Sequence, residues 1–236
     1  METIDADLFV VVAYGQMLSE RILNMPEYGC INVHGSLLPE YRGAAPIQWS
    51  VINGDTVTGV TIMYMDRECD AGDMILKKKI EITSDDTYGT LHDKMAPIGA
   101  QALIEAVSLI EKGYANAEKQ DNRKVTYAPM ISKGMGHIDW GKDADEIRNL
   151  VRGFNPMPGA YTIYNEDNLK IWNCTVVDSA EGNLGEIINV DLKKGFTVKC
   201  GKNALLVTEI QTKGGKKMKA ADYMRGHTVA VGTILK

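Results

Sequence analysis

Asn32 and His34 stand two residues apart at the end of an apolar run, Cys30-Ile31-Asn32-Val33-His34. Side chains two apart in an extended chain share a face, so this amide and this imidazole point into one space. Val33 between them points the other way, toward a core. An amide is a neutral hydrogen-bond donor, and an imidazole titrates near neutrality. The pair suits a reaction in which an oxygen gains negative charge while a proton leaves the attacking group. A carboxylate nearby would orient the imidazole and favour its protonated form. The loop Met65-Asp66-Arg67-Glu68-Cys69-Asp70-Ala71-Gly72-Asp73 supplies candidates. Asp70 is assigned to His34, against Asp66 as a turn residue and Asp73 as a structural cap. Gly35-Ser36-Leu37-Leu38-Pro39 follows the histidine directly, a turn whose leucines are unusual things to leave in water.

The elements that must position these groups alternate through the first half. Leu8 to Ala13 is a continuous apolar run, which predicts a parallel strand buried on both faces. Ser19 is placed to cap a short helix, and Cys30 to His34 is the next strand. Pro46 suits the first turn of a helix that Asn53-Gly54 stops. Val57 to Met65 reads as a strand, and Met74 to Ile82 as an edge strand because of its lysines. Thr87 to Lys112 reads as a long helix ended by Gly113. Alternating elements of this kind predict an α/β, doubly wound, Rossmann-like domain over residues 1–114, with the carboxyl ends of neighbouring strands meeting at one crevice. Residues 115–136 are polar and aperiodic and read as a linker. Asp143-x-x-Glu146 opens a helix through Phe154. Short β segments between turn clusters then fill 137–236 and predict a small OB-like β-barrel.

Composition excludes some classes of function. No apolar run approaches the ~20 residues that span a membrane, no signal-like segment opens the chain, and with scattered cysteines a reducing cytoplasm is the expected compartment. The four cysteines form no Cys-x-x-Cys pair, so neither zinc nor a disulfide framework is expected. A net charge of −5 argues against a broad nucleic-acid coat but allows a local basic patch. Lys213-Gly214-Gly215-Lys216-Lys217-Met218-Lys219 is such a patch, with Lys170, Lys193 and Lys194 as possible extensions. His92, His137 and His227 have no partner motif and read as surface or structural residues. Cys30 and Cys69 read as small buried packing residues.

The run from Ile31 through His34-Gly35-Ser36-Leu37-Leu38-Pro39 to Arg42-Gly43-Ala44-Ala45-Pro46 resembles the signature of the folate-dependent formyltransferases. Met65 to Met74 resembles the second signature of that family. The resemblance implies Asn32, His34 and Asp70 as catalytic residues. It implies Ser36, Leu37, Leu38 and Pro39 against the folate, with 10-formyltetrahydrofolate as cosubstrate and no metal. Arg152-Gly153-Phe154-Asn155-Pro156 resembles the start of the C-terminal barrel in the branch that acts on initiator methionyl-tRNA. That branch implies a monomer with tRNA as partner, gripped by Arg42, Lys213, Lys216, Lys217 and Lys219. Set against the family, the chain starts partway through the catalytic domain, with Glu2 to Asp7 directly before a central strand. Two other readings stay open: a formyltransferase for an amino sugar or nucleotide-linked amine, and a noncatalytic tRNA-binding remnant.

Overall fold

The computed structural model describes residues 5–179 and 181–236; Glu2, Thr3 and Ile4 of the opening segment lie outside them. The first elements are β1 (Phe9–Val11), α1 (Glu20–Leu23), β2 (Cys30–His34), α2 (Pro46–Ile52), β3 (Val57–Tyr64), β4 (Met74–Glu81) and α3 (Tyr88–Glu111). Then follow α4 (Ala144–Gly153), β5 (Ala160–Tyr164), β6 (Asp167–Val177), β7 (Ile187–Asp191), β8 (Gly195–Lys199), β9 (Ala204–Thr212), β10 (Met218–Lys219) and α5 (Ala220–Tyr223). The chain divides into two units. One comprises 5–50, 55–84 and 90–130, the other 51–54, 85–89 and 131–236.

The sheet of the first unit has the order β1-β2-β3-β4. β1 runs parallel to β2, as a doubly wound start requires, but β2–β3 and β3–β4 are antiparallel. This corrects the route expected for Asp70. Tyr64 lies opposite Ile31 and Thr61 opposite His34, so the loop after β3 leaves at the start of β2, not at its carboxyl end. The loop must double back to reach His34. Gly72 permits that return, because a Cβ there would collide with the Tyr64 carbonyl oxygen. β1 also differs from expectation. It is an edge strand among the described residues, and its apolar run is not buried on both faces: Val10 and Val12 are exposed.

The opposite face of β2 is covered by α3. A helical stripe of Leu91, Met95, Gly99, Ala102, Ala106 and Ile110 is buried, with Gly99 against the Val33 side chain. Val33 therefore faces a core, as its alternation with Asn32 and His34 predicts. The polar stretch read as a linker is no free tether. Glu118 bridges to Met74 and Tyr127 to Arg42, pinning residues 118–127 along the first unit.

In the second unit the ladder runs β5-β6-β9-β8-β7, with β10 on β9. Asp143 precedes α4, and its backbone N–H donates to the Glu146 carboxylate at 3.2 Å, the reciprocal cap that the Asp-x-x-Glu spacing predicts. Ile147 and Val151 from α4, and Phe154 just after it, join Ile171, Phe196, Leu205 and Val207 in one buried core. The expected barrel is not closed strand to strand among the described residues. Instead the C-terminal segment joins both edges of the sheet. Ile163 and Lys236 exchange two backbone hydrogen bonds, of 2.6 and 3.1 Å. On the other edge, Ile187 donates to Thr233 and Leu235 donates to Gly185, each at 2.8 Å. No helix of the described residues is long and apolar enough to cross a membrane.

Candidate active site

Strand alternation places Asn32 and His34 on one face of β2, and the returning loop brings Asp70 to His34. His34 is 4% exposed. Its Nε2 lies 3.0 Å from the Tyr41 carbonyl oxygen, and its Nδ1 lies 3.6 Å from Asp70 Oδ2. A carbonyl only accepts, so Nε2 carries a hydrogen. In the neutral ring Nδ1 is then bare and faces the carboxylate. A proton arriving at Nδ1 would meet a negative charge. Asp66 instead accepts from the Arg67 backbone N–H, the turn role expected of it.

Burial is the largest influence on the His34 imidazole and pulls it below its ordinary value. The Asp70 charge and the Tyr41 carbonyl pull the other way and are outweighed. Asp70 thus favours the protonated ring as expected, but does not prevail: the resting ring is neutral at pH 7. A pH dependence of stability follows. The unfolded chain takes up this proton as the pH falls through about 6.5, before the folded chain does. Stability is therefore full above that pH and falls as acid is added, until the lower folded value is passed. The difference in unfolding free energy between the wild type and His34→Gln should be level from pH 7.5 to about 6.5 and shrink as the pH is lowered from there toward 5. A constant difference across that range would contradict a buried neutral His34.

The carboxylate of Asp70 is held as well as placed. Its Oδ2 accepts from the Gly43 backbone N–H at 2.8 Å and from the Cys69 thiol at 3.4 Å. Cys69 is exposed, which corrects its reading as a buried packing residue; Cys30 is buried as expected. Asp70 at φ +53° and Tyr41 at φ +62° both occupy the left-handed region. Such conformations cost about 1–3 kcal/mol each and persist only where neighbours hold them. Both residues touch His34.

Asn32 has a partly exposed side chain that makes no hydrogen bond among the described residues. Its amide is free to donate. The turn after His34 is tied to β3 through Thr61, whose hydroxyl donates to the Ser36 carbonyl and accepts from the Leu38 N–H. Ser36 and Leu38 are buried, and the Ser36 hydroxyl donates to the Glu40 carbonyl. Leu38 packs with Met63 and Met74. Of the four residues expected against the folate, only Leu37 and Pro39 keep partly exposed side chains.

Arg42 departs furthest from expectation. The resemblance implies it as a tRNA contact, yet it is 6% exposed and its guanidinium donates to Gln120. Gln120, missed by sequence reasoning, in turn holds the backbone of the Asp70 loop. In the second unit Lys213 pairs with Asp167 and Lys217 with Glu209, while Lys216 and Lys219 are exposed in the same β9–β10 region. Lys170 and Lys217 both lie over the Trp172 ring, at 5.5 and 5.8 Å. His92, His137 and His227 are exposed, away from any such cluster.

An amide donor and a buried imidazole two apart on β2, with a loop carboxylate held beside the imidazole, are groups of the kind that acyl transfer can use. Residues 1–107 match the formyl transferase family and residues 130–228 its C-terminal domain. The whole chain is 50% identical to methionyl-tRNA formyltransferase of Caldanaerobacter subterraneus and 48% identical to that of Clostridioides difficile, covering 76% of each. Among solved structures, HypX from Aquifex aeolicus with tetrahydrofolic acid superposes at a TM-score of 0.69. That match has 17% identity and covers 96% of this chain and 42% of HypX. Methionyl-tRNA formyltransferase from Clostridium thermocellum superposes at 0.56 with 16% identity, covering 72% and 73% of the two chains. The chain belongs to the methionyl-tRNA formyltransferase family.

Proposed function

We propose that this protein transfers the formyl group of 10-formyltetrahydrofolate to the amino group of initiator methionyl-tRNA, acting as a monomer in the cytoplasm. The observation that carries the reading is the Asp70 carboxylate 3.6 Å from the buried His34 ring, beside Asn32 on the same strand, in a chain half identical to its named relatives. The amine nitrogen attacks the formyl carbon and the carbonyl oxygen becomes an oxyanion. The Asn32 amide donates to that oxygen. The nitrogen loses its proton to His34 Nδ1, directly or through one water, and Asp70 stabilises the imidazolium that results. Collapse of the intermediate breaks the bond to the folate nitrogen, which takes that proton from the imidazolium as it leaves and returns His34 to its neutral form. A neutral resting His34 suits this order of events, since a ring already charged could not accept. Leu37 and Pro39 offer apolar surface to a flat pterin, beside the polar groups of β2.

The acceptor is tested by offering labelled 10-formyltetrahydrofolate with methionyl-tRNA and a dTDP-linked amino sugar together. Label in the tRNA is the expected result; label in the sugar alone would sink the reading.

For the tRNA contact we propose the β9–β10 loop with Lys213, Lys216 and Lys217, together with Lys219 of β10. Lys213 and Lys217 already have carboxylate partners, so Lys216 and Lys219 are expected to carry more of the phosphate contact. Replacing both by alanine should raise KM for tRNA and leave kcat alone. The dependence of log affinity on log salt should become shallower by about 1 to 2. An unchanged salt slope would remove these two lysines from the interface.

A further inference from the structure

We propose that Gln120, together with Arg42, is a positioning residue that holds the Asp70 loop at His34. The inference rests on the reading of Asn32, His34 and Asp70 given above. The Gln120 amide nitrogen donates to two carbonyl oxygens of that loop, Asp70 at 2.7 Å and Gly72 at 2.8 Å. Its amide oxygen accepts from Arg42 Nε at 2.9 Å and from a terminal guanidinium nitrogen at 2.7 Å. The orientation is fixed by these partners, because a flipped amide would set nitrogen against guanidinium and oxygen against carbonyl.

Arg42 is itself locked to the same stretch of chain. Its N–H donates to the Thr126 carbonyl at 2.9 Å, and its carbonyl accepts from the Ala128 N–H at 2.8 Å. That pairing sets the place of the next residue, Gly43, whose N–H holds the Asp70 carboxylate. Gly43 sits at φ +120°, and a Cβ there would lie 2.8 Å from the Ala128 carbonyl oxygen. Asp70 is thus gripped twice. Gly43 holds its carboxylate, and Gln120 holds its backbone in a left-handed conformation that only close support sustains. The separation of 3.6 Å between Asp70 and His34 leaves little margin. A loop that relaxed outward would leave the imidazole without its counter-charge, in a site too dry to screen the loss.

The test combines kinetics with a proton titration of the His34 ring followed by nuclear magnetic resonance, on the full chain and two variants. Gln120→Ala removes the clamp. Gln120→Glu keeps its size and still accepts from Arg42, but its carboxylate has no N–H for the two carbonyls. The groups facing the pair are Asp70 and the Tyr41 carbonyl at His34, and Cys69, Gly43 and Arg42 around Asp70. With the clamp gone, His34 should lose part of the Asp70 attraction, and its pKa should drop by about 0.5 or more. kcat should fall about tenfold or more, with both KM values within about twofold of wild type. An unchanged His34 titration in folded Gln120→Glu would overturn the proposal. So would failure of both variants to fold, which would make Gln120 a residue of general stability. If the wild type formylates no methionyl-tRNA, the proposed function fails while the titration still reads the clamp.

Discussion

Replacing His34 by glutamine is expected to lower kcat for formyl transfer by about 10²–10⁴-fold, the range lost with a general base. Glutamine is chosen because its amide N–H can still donate to the Tyr41 carbonyl, the contact that His34 Nε2 makes at 3.0 Å. What it lacks is a basic nitrogen facing Asp70. The proton of the attacking amine then has no acceptor with a counter-charge behind it. Binding of either substrate should change little, so kcat and kcat/KM should fall together. Steady-state kinetics at pH 7.5 decide the matter. A fall of less than about tenfold would move the base elsewhere. The pH profile adds a second reading. Protonation of His34 removes the acceptor, so the acid limb of kcat/KM should lie below the ordinary histidine value, in the direction that burial pulls the ring.

Asn32→Ala is expected to cost about 10²–10³ in kcat, the loss seen when one oxyanion donor is removed. Stability should hardly move, because the side chain is partly exposed and bonds to nothing among the described residues. That contrast identifies its role: a residue kept for folding would lower the melting temperature, and a residue kept for the transition state lowers kcat alone. Asn32→Asp should be worse than alanine. It keeps the shape but presents a negative charge where the oxyanion forms. An aspartate variant at near wild-type rate would remove Asn32 from the oxyanion site.

The amide and imidazole were legible in the sequence because strand alternation is a strict rule: Asn32 and His34 share a face, and Val33 turns to α3. The loop that brings Asp70 to His34 was legible as a loop, but its route was not. β3 runs antiparallel to β2, and periodicity within a strand says nothing of its direction relative to a neighbour. The same limit hid the exposure of β1, since an apolar run does not reveal what covers it. Gln120 was invisible for another reason. A polar, aperiodic stretch reads as a linker, yet residues 118–127 are pinned by isolated backbone bridges that leave no periodic trace. Nothing local marks Arg42 as buried, because the amide that receives its guanidinium lies 78 positions away. In the second unit the turn clusters marked the strands, but the joining of the two sheet edges by the last residues depends on backbone bonds, whatever the side chains there.

The central claim is that Asn32, His34 and Asp70 of this chain formylate methionyl-tRNA. It is tested most directly by single-turnover transfer of labelled formyl from 10-formyltetrahydrofolate to methionyl-tRNA, with the 236-residue chain and its Asp70→Asn variant. Asparagine keeps the shape of the side chain but removes the charge beside Nδ1. The account predicts labelled formylmethionyl-tRNA from the wild type and a rate about 10²-fold lower from the variant. No transfer by the wild-type chain, or equal rates from the two, would contradict it.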